Sequence, residues 1–336
     1  MNNYILLLPI IVAFLVTLFL LPSWIKRAHN ANLVGKDMNK PNEVKVAEAG
    51  GVTVIAGFVI GALCYIAIKT FYLRQGDNVT EMLALLSVIL LVSFIGIIDD
   101  LLGWKIGLSR RIRIFLVLFA AIPLIVIDAG SSRISFPFFA GIDLGYIYPL
   151  IIIPLGVVGA STTFNFLAGY NGLEARQGIL LLGALGIATA ATGSTWLTVT
   201  ILCMIASILA FLIFNSYPAQ VFPGDVLTYS LGALIAGIAV LGNVEKFALF
   251  IFIPNIVEIL LKLRGGLQKE SFAAPQKDGS LTLRYSKIYG LEHLAIAVLR
   301  KYKKRVTESN VVLFINVLQI IFIILGFAFF WKGIFG

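Results

Sequence analysis

The sequence predicts an all-α, polytopic membrane protein with about ten transmembrane helices. Hydrophobic residues make up 59% of the chain and charged residues only 13%, whereas soluble domains carry about 25% charged residues. The mean hydropathy is +0.97. A segment that crosses hydrocarbon must satisfy its backbone hydrogen bonds internally, so apolar runs of about 20 residues are expected to be helices.

Ten apolar runs are candidates for these spans. They lie at residues 4–22, 51–73, 82–98, 111–128, 147–166, 178–193, 197–214, 226–241, 247–262 and 311–333. The first run lacks a preceding basic segment and is followed by Lys26 and Arg27, which favours a retained span over a cleaved signal peptide. We expect one membrane domain, residues 1–336, that contains a long cytoplasmic loop at 263–310.

The distribution of Lys and Arg orients the spans, because basic loops are retained on the cytoplasmic side. With both termini outside, the inner loops contain 21 of the 26 basic residues and the outer segments contain five. We therefore expect both termini to lie outside and the basic loops to lie in the cytoplasm. The absence of extra loops favours a prokaryotic cell, and therefore the plasma membrane.

The net charge of +9 is accounted for by loop retention and by attraction to the anionic head groups of the lipid bilayer. Nucleic acid is not an expected partner, because the basic residues are spread over several loops and form no recognised binding module. The two cysteines, Cys64 and Cys203, lie inside apolar runs, which argues against a disulfide framework and against a zinc site.

The long loop is expected to contain two small elements. Turn residues at Pro275–Gly279 precede an alternating stretch at Ser280–Tyr285, which predicts a short hairpin. Residues 288–305 place apolar side chains at helical spacing beside basic ones, which predicts an amphipathic helix on the membrane surface.

Four polar clusters fall at span ends on the predicted cytoplasmic face. They are Asp99–Asp100, Asn165 with Asn171–Glu174, Phe222–Asp225, and the basic loop 262–310. Ionisable groups beside hydrocarbon are costly unless they face a cavity or a counter-charge. Each cluster also has a plain structural interpretation: a helix-end carboxylate pair, an Asn-Gly turn, an N-cap at Asp225, and topological anchoring by the basic loop.

Together, the carboxylates, the amides and the nearby basic loop predict a site for Mg²⁺ and a polyphosphate, with Mn²⁺ as a substitute. Mg²⁺ prefers one or two carboxylates plus substrate oxygens. Such a site suits phosphoryl transfer, in which positioning and charge neutralisation provide most of the catalysis. The alternative from another class is a secondary transporter, which would need ionisable residues in mid-span, where this chain has few.

Three motifs carry a resemblance to a known family. Phe94–Asp100, Asn165–Glu174 and Val221–Asp225 resemble, in order and spacing, the polyprenyl-phosphate N-acetylhexosamine-1-phosphate transferases of glycosyltransferase family 4, over nearly the whole chain. Gly279–Lys287 resembles the dolichyl-phosphate GlcNAc-1-phosphotransferase branch, with an archaeal source expected.

This resemblance implies transfer of GlcNAc-1-phosphate from UDP-GlcNAc to a polyprenyl (dolichyl) phosphate, which gives polyprenyl-diphospho-GlcNAc and UMP. That reaction is the first step in assembling a lipid-linked N-glycan or cell-surface polymer. Another UDP-HexNAc donor or undecaprenyl phosphate stays open as an alternative substrate, and a homodimer stays open as the assembly.

The resemblance also implies roles for individual residues. Asp225 and Asn165 would hold Mg²⁺ on the donor diphosphate. Phe222 would stack on uracil, Asn171 would bond to the edge of the base, and Glu174 would support the loop that carries Asn171.

The remaining implied roles are less specific. Asp99 and Asp100 match an acidic pair, which acts as a base or organises the lipid phosphate, and Glu48 matches an acid or amide near the nucleotide. The basic residue expected after the acidic pair is Lys105, Arg110 or Arg111, of which we favour Arg110.

The last inner loop departs from the family pattern. It lacks the histidine- or arginine-rich motif of several branches, and Arg264 and Lys269 are the cations that could replace it. The missing histidines argue against a phospho-MurNAc-pentapeptide donor.

Overall fold

The structure is a computed structural model that describes residues 3–136 and 139–335, except the side chains of 3, 104–106, 134–136 and 139–141. It is predominantly helical. The α-helices are α1 Leu7–Asn30, α2 Gly51–Ala67, α3 Val79–Ile106, α4 Arg110–Ala120, α5 Ile122–Val126, α6 Ile153–Phe166, α7 Leu173–Ala191, α8 Thr195–Asn215, α9 Gly224–Leu241, α10 Glu245–Ile251, α11 Ile253–Arg264, α12 Leu291–Tyr302 and α13 Glu308–Phe335.

In the described part of the chain, three antiparallel two-stranded ribbons lie in the loops. They pair β1 Val34–Lys36 with β2 Lys45–Ala47, β3 Arg133–Phe136 with β4 Phe139–Asp143, and β5 Ala274–Pro275 with β6 Leu281–Thr282. The third ribbon confirms the hairpin predicted in the long loop. The other two ribbons were not predicted.

Eight helical segments among the described residues are long and apolar enough to cross a bilayer, which confirms the all-α polytopic class. The other two predicted spans, 111–128 and 247–262, are each divided into two shorter helices. The breaks fall at Ala121 and Phe252, just before Pro123 and Pro254, and proline has no backbone N–H to continue a helical ladder. The count of ten spans therefore stays a prediction.

Helix α9 lies at the centre of the bundle, where it packs against α3, α6 and α2. Most of its length is buried, because small residues let neighbouring helices approach closely. At Gly232, a Cβ atom would collide with the backbone of Ala160 and Ser161 in α6. This packing fixes the N-terminus of α9, which carries Asp225, against the end of α3.

The predicted amphipathic helix is confirmed as α12, but its apolar face contacts protein. Leu291, Ala295 and Ile296 are buried in a second hydrophobic cluster, together with the first turns of α13 and with Leu167 and Tyr170. The apolar face of α12 was predicted to contact the membrane surface. It packs on protein, so this prediction is wrong. Helix α12 instead packs the long loop against the segment between α6 and α7.

Candidate active site

A cavity of about 880 Å³ brings most of the predicted polar clusters together. It is lined by the end of α3, the starts of α4 and α9, the segment between α6 and α7, the first inner loop, and two residues of the long loop. Among its described residues, seven are acidic and two are basic. The acids are Asp37, Glu48, Asp99, Asp100, Glu174, Asp225 and Glu270, and the bases are Lys36 and Arg113.

Asp100 binds the N-terminus of α9. Its carboxylate accepts hydrogen bonds from the backbone N–H groups of Asp225 (2.8 Å) and Val226 (3.1 Å), which have no partner within their own helix. Gly224 makes this approach possible, because it adopts a positive φ of 70° and a Cβ there would collide with Asp100. The N-cap interaction that the sequence allowed for Asp225 is thus made by Asp100.

The carboxylate of Asp225 is consequently available for other contacts. Its Oδ2 accepts from Nη1 of Arg113 (2.6 Å), and its Oδ1 accepts from Nδ2 of Asn165 (2.8 Å). Asn165 also donates to Oγ1 of Thr228 (2.8 Å), one turn further along α9. Asp225 therefore sits between a guanidinium and an amide.

Arg113 links the two acidic motifs. Besides Asp225, its Nη1 donates to Oδ2 of Asp99 (2.9 Å), and its guanidinium lies 5.8 Å from the ring centre of Tyr229. The other oxygen of Asp99 accepts from the backbone N–H of Leu108. Ser109 caps α4, so the helix begins at Arg110 and places Arg113 in its first turn.

Phe222 and Glu48 are held side by side by a short backbone ladder. Phe222 donates its N–H to the carbonyl of Ala47 (2.7 Å), and Gly50 donates to the carbonyl of Phe222 (2.9 Å). Burial, with the charge of Asp225 as a further cause, raises the pKa of Glu48 to about 7. Glu48 is thus a cavity group that changes its protonation near neutral pH.

The segment between α6 and α7 is shaped by internal hydrogen bonds. Oε1 of Glu174 accepts from the N–H of Gly169 (2.7 Å). Asn171 is buried: its Nδ2 donates to Oδ2 of Asp37 (3.1 Å), and its backbone N–H donates to Oε1 of Glu308 (2.7 Å). Asp37 lines the cavity, whereas Asn171 does not.

Three predicted binding residues do not line the cavity: Asn171, Arg110 and Arg264. Arg110 is exposed and donates to the backbone carbonyl of Leu267. Arg264 is exposed at the end of α11, and Lys269 lies over the ring of Tyr285. The side chain of Lys105 lies outside the described part of the chain. The remaining predicted site residues, namely Glu48, Asp99, Asp100, Asn165, Glu174, Phe222 and Asp225, all line the cavity.

The residues that the structure places in the cavity and that sequence reasoning missed include Arg113, Thr228, Asp37 and Phe272. Thr228 could have been found, because its three-residue spacing from Asp225 places both on one face of α9. Arg113 belongs to a run of similar arginines in which spacing does not select one residue. Phe272 comes from a loop with no motif of its own.

The donor set fits a divalent cation that is shared with a substrate. No three His, Cys, Asp or Glu side chains of the described residues group closely enough to hold a metal by themselves. Mg²⁺ does not require such a group, since it is commonly bound by one or two carboxylates plus phosphate oxygens. The excess of acids over bases means that a polyphosphate needs added positive charge to enter.

Comparison with known proteins gives a consistent picture. The family model described as glycosyl transferase family 4 matches residues 82–243, a range that contains the acidic pair, Asn165 and Asp225. A protein of Saccharolobus solfataricus, provisionally named UDP-N-acetylglucosamine–dolichyl-phosphate N-acetylglucosaminephosphotransferase, is 36% identical over 95% of this chain and 95% of its own length.

Two further relatives carry the same name. The protein of Sulfolobus acidocaldarius, again provisionally named, is 34% identical over 96% of this chain and 95% of its own length. The protein of Dictyostelium discoideum is 28% identical over 74% of this chain and 69% of its own length. The similarity to the first two relatives thus extends over nearly the whole chain.

Proposed function

Since the chain belongs to glycosyl transferase family 4, we propose that it transfers GlcNAc-1-phosphate from UDP-GlcNAc to a polyprenyl (dolichyl) phosphate. The products are polyprenyl-diphospho-GlcNAc and UMP. The names of the relatives support these substrates, and their coverage of nearly the entire chain supports extending the reaction to it.

The observation that carries the proposal is the contact between Arg113, Asp225 and Asn165 in an acid-rich cavity. A diphosphate has two negatively charged groups, so seven carboxylates alone would repel it. A guanidinium and a divalent cation in the same place would reverse that repulsion. This combination suits a nucleotide-sugar diphosphate better than a neutral solute, which disfavours the transporter alternative.

Mg²⁺, with Mn²⁺ as a substitute, fits at Asp225 and Asn165, whose side chains touch each other. When bound, the ion would neutralise charge on the diphosphate and polarise the phosphorus–oxygen bonds. Asp99 and Arg113 would hold Asp225 in place from the other side.

The transfer forms one bond and breaks one. An oxygen of the lipid phosphate attacks the β-phosphorus of UDP-GlcNAc, and the bond from that phosphorus to the bridging oxygen breaks, so that UMP leaves with the electron pair. A phosphate monoester has a second pKa of about 6 and is largely dianionic at neutral pH. The attacking oxygen therefore needs no proton removed.

This chemistry agrees with the contacts of the acidic pair. Both oxygens of Asp100 accept hydrogen bonds from the start of α9, and both oxygens of Asp99 also have donors. We propose that neither residue is a general base: Asp100 orients the first turn of α9, and Asp99 orients Arg113.

We place the cavity on the cytoplasmic face of the plasma membrane, with both termini outside. The support is the distribution of 21 of the 26 basic residues on the loops of this side. UDP-GlcNAc is a cytoplasmic nucleotide sugar, and the lipid phosphate would reach the cavity from the bilayer.

The experiment that tests the proposal measures UMP release by the purified full-length protein. UMP should appear only when UDP-GlcNAc, a polyprenyl phosphate and Mg²⁺ or Mn²⁺ are all present. A panel of UDP-GlcNAc and UDP-GalNAc against dolichyl and undecaprenyl phosphates would identify both substrates. UMP release without lipid phosphate, or full activity in EDTA, would contradict the proposal.

A further inference from the structure

Six polar residues outside the cavity form a buried cluster where α11 meets α12. All are at most 8% exposed, although four of them can carry a charge. They are Asn255, Glu258, Lys262, Ser271, Glu292 and His293. We call this group the α11–α12 cluster. Buried polar groups oppose folding unless they are well paired, so their presence requires an explanation.

Lys262 makes the central contacts of the α11–α12 cluster. Its Nζ donates to Oγ of Ser271 and lies 3.4 Å from Oε1 of Glu258, one helical turn away. The other oxygen of Glu258 accepts from the N–H of Leu291 (2.6 Å) at the start of α12. The ion pair thus ties three parts of the chain together: α11, α12 and the segment around Ser271.

The cluster is not arranged for stability alone. Both oxygens of Glu292, Nε2 of His293 and the whole amide of Asn255 are buried without a hydrogen-bond partner among the described residues. Burial and the charge of Glu258 raise the pKa of Glu292 well above its usual range.

The Ser271 segment forms one wall of the cavity, because its neighbours Glu270 and Phe272 both line it. The Phe272 ring packs on Gly169, where a Cβ would lie 2.7 Å from Cε1 of the ring. The carbonyl of Ser271 also accepts from the hydroxyl of Tyr170 (3.4 Å). This wall thus touches the segment between α6 and α7 on one side and the α11–α12 cluster on the other.

We infer that the α11–α12 cluster positions Phe272 and Glu270 in the cavity wall and that this wall contacts UDP-GlcNAc, with Lys262 as the positioning residue and Ser271 as its contact. The inference rests on the proposed function, since it assigns this wall to UDP-GlcNAc. Apolar residues of similar volume would pack α11 on α12 at lower cost. A charged hydrogen bond to Ser271 fixes the position of the wall, which apolar packing cannot do as specifically.

Ser271→Ala removes the acceptor and leaves the ion pair intact. We expect the KM for UDP-GlcNAc to rise about 3- to 10-fold, as for loss of one hydrogen bond, with kcat and the KM for polyprenyl phosphate within about twofold of wild type. Ser271→Thr keeps the hydroxyl and should restore most of the affinity. Ser280→Ala, which changes a partly exposed serine of the same loop, should behave as wild type.

A double variant, Glu258→Gln with Lys262→Met, removes the ion pair without leaving a lone buried charge, so it should fold. It should raise the donor KM at least as much as Ser271→Ala. Gln319→Leu removes another buried hydrogen bond, to the carbonyl of Ile251, and should lower Tm without a change in donor KM.

The outcomes separate the two proposals. An unchanged donor KM in Ser271→Ala, or an equal change for both substrates, would overturn the positioning role. If the wild-type protein released no UMP, the proposed reaction would fail on its own. The Kd for UDP-GlcNAc by calorimetry would then decide: weaker binding in Ser271→Ala but not Ser280→Ala supports the cluster's role, and equal binding refutes it.

Discussion

The cavity and the α11–α12 cluster both bury charged side chains, but they do so in opposite ways. In the cavity, Asp99 and Asp225 share Arg113 and remain 12% and 24% exposed. In the cluster, Glu258 and Glu292 are both fully buried. One region is open to a ligand with its charges partly balanced, and the other is closed.

This difference shows what each arrangement can do. An open group of carboxylates with too few cations can accept a metal and a phosphate, because these supply the missing interactions. A closed group gains nothing from a ligand and can act only through the parts of the chain that it connects. We therefore assign binding and chemistry to the cavity and positioning to the cluster.

The strongest test of the comparison is Asp225→Asn. This change keeps the shape but removes the charge that we propose binds the metal, so turnover should fall about 100-fold or more. UMP release measured across a Mg²⁺ titration would show the loss. Asp143→Asn changes an exposed carboxylate outside the cavity and should keep wild-type turnover. Full activity with a normal metal dependence in Asp225→Asn would remove the metal assignment.

Arg113→Gln tests whether one cation serves both acidic motifs. Hydrogen bonds between charged groups contribute about 1.5–3 kcal/mol, so kcat should fall about 10- to 100-fold. The matched control is Arg111→Gln, which changes an exposed arginine two residues away in the same helix. Equal kcat values for the two variants would show that Arg113 has no special role in the transfer.

Phe222→Ala tests stacking against the uracil ring. Since stacking of a base on an aromatic side chain contributes about 1–3 kcal/mol, the KM for UDP-GlcNAc should rise about 5- to 100-fold while kcat changes less. Phe71→Ala, at an exposed phenylalanine outside the cavity, is the control. An unaltered donor KM would end the stacking hypothesis.

The smallest expected effect concerns Glu48 and pH. Its pKa is raised from 4.5 to about 7, so the folded protein favours the protonated form. The stability from this preference is complete below pH 4.5 and is lost as the pH rises to about 7. The Tm of Glu48→Gln minus that of wild type should therefore increase by about 2–4 °C when the pH is raised from 4.5 to 8.

Thermal unfolding in detergent at both pH values would measure this gain. Glu43→Gln, at an exposed carboxylate of the same loop, should not reproduce it. Parallel pH dependences for Glu48→Gln and wild type would show that Glu48 titrates normally.

The candidate site could be predicted where a motif stands at a helix end. Asp99–Asp100, Asn165 and Phe222–Asp225 lie beside apolar runs, where a carboxylate or amide has few explanations other than a cavity. The sequence analysis considered Lys105, Arg110 and Arg111 and not Arg113, because the basic residue that meets the acidic pair depends on the angle at which α4 meets α3. The sequence also could not show that the amide of Asn171, which was expected to bond to the edge of the uracil base, donates a hydrogen bond to Asp37.

The sequence by itself determined that this is a helical membrane protein, because the length and composition of apolar runs are set by the thickness of hydrocarbon. It also predicted the motifs that the structure brings together in one cavity. Only the tertiary structure decided how they meet: Asp100 capping α9, Arg113 joining Asp99 to Asp225, and α12 turning its apolar face to the protein. These contacts join residues far apart in the chain, so their geometry follows from helix packing and not from local spacing.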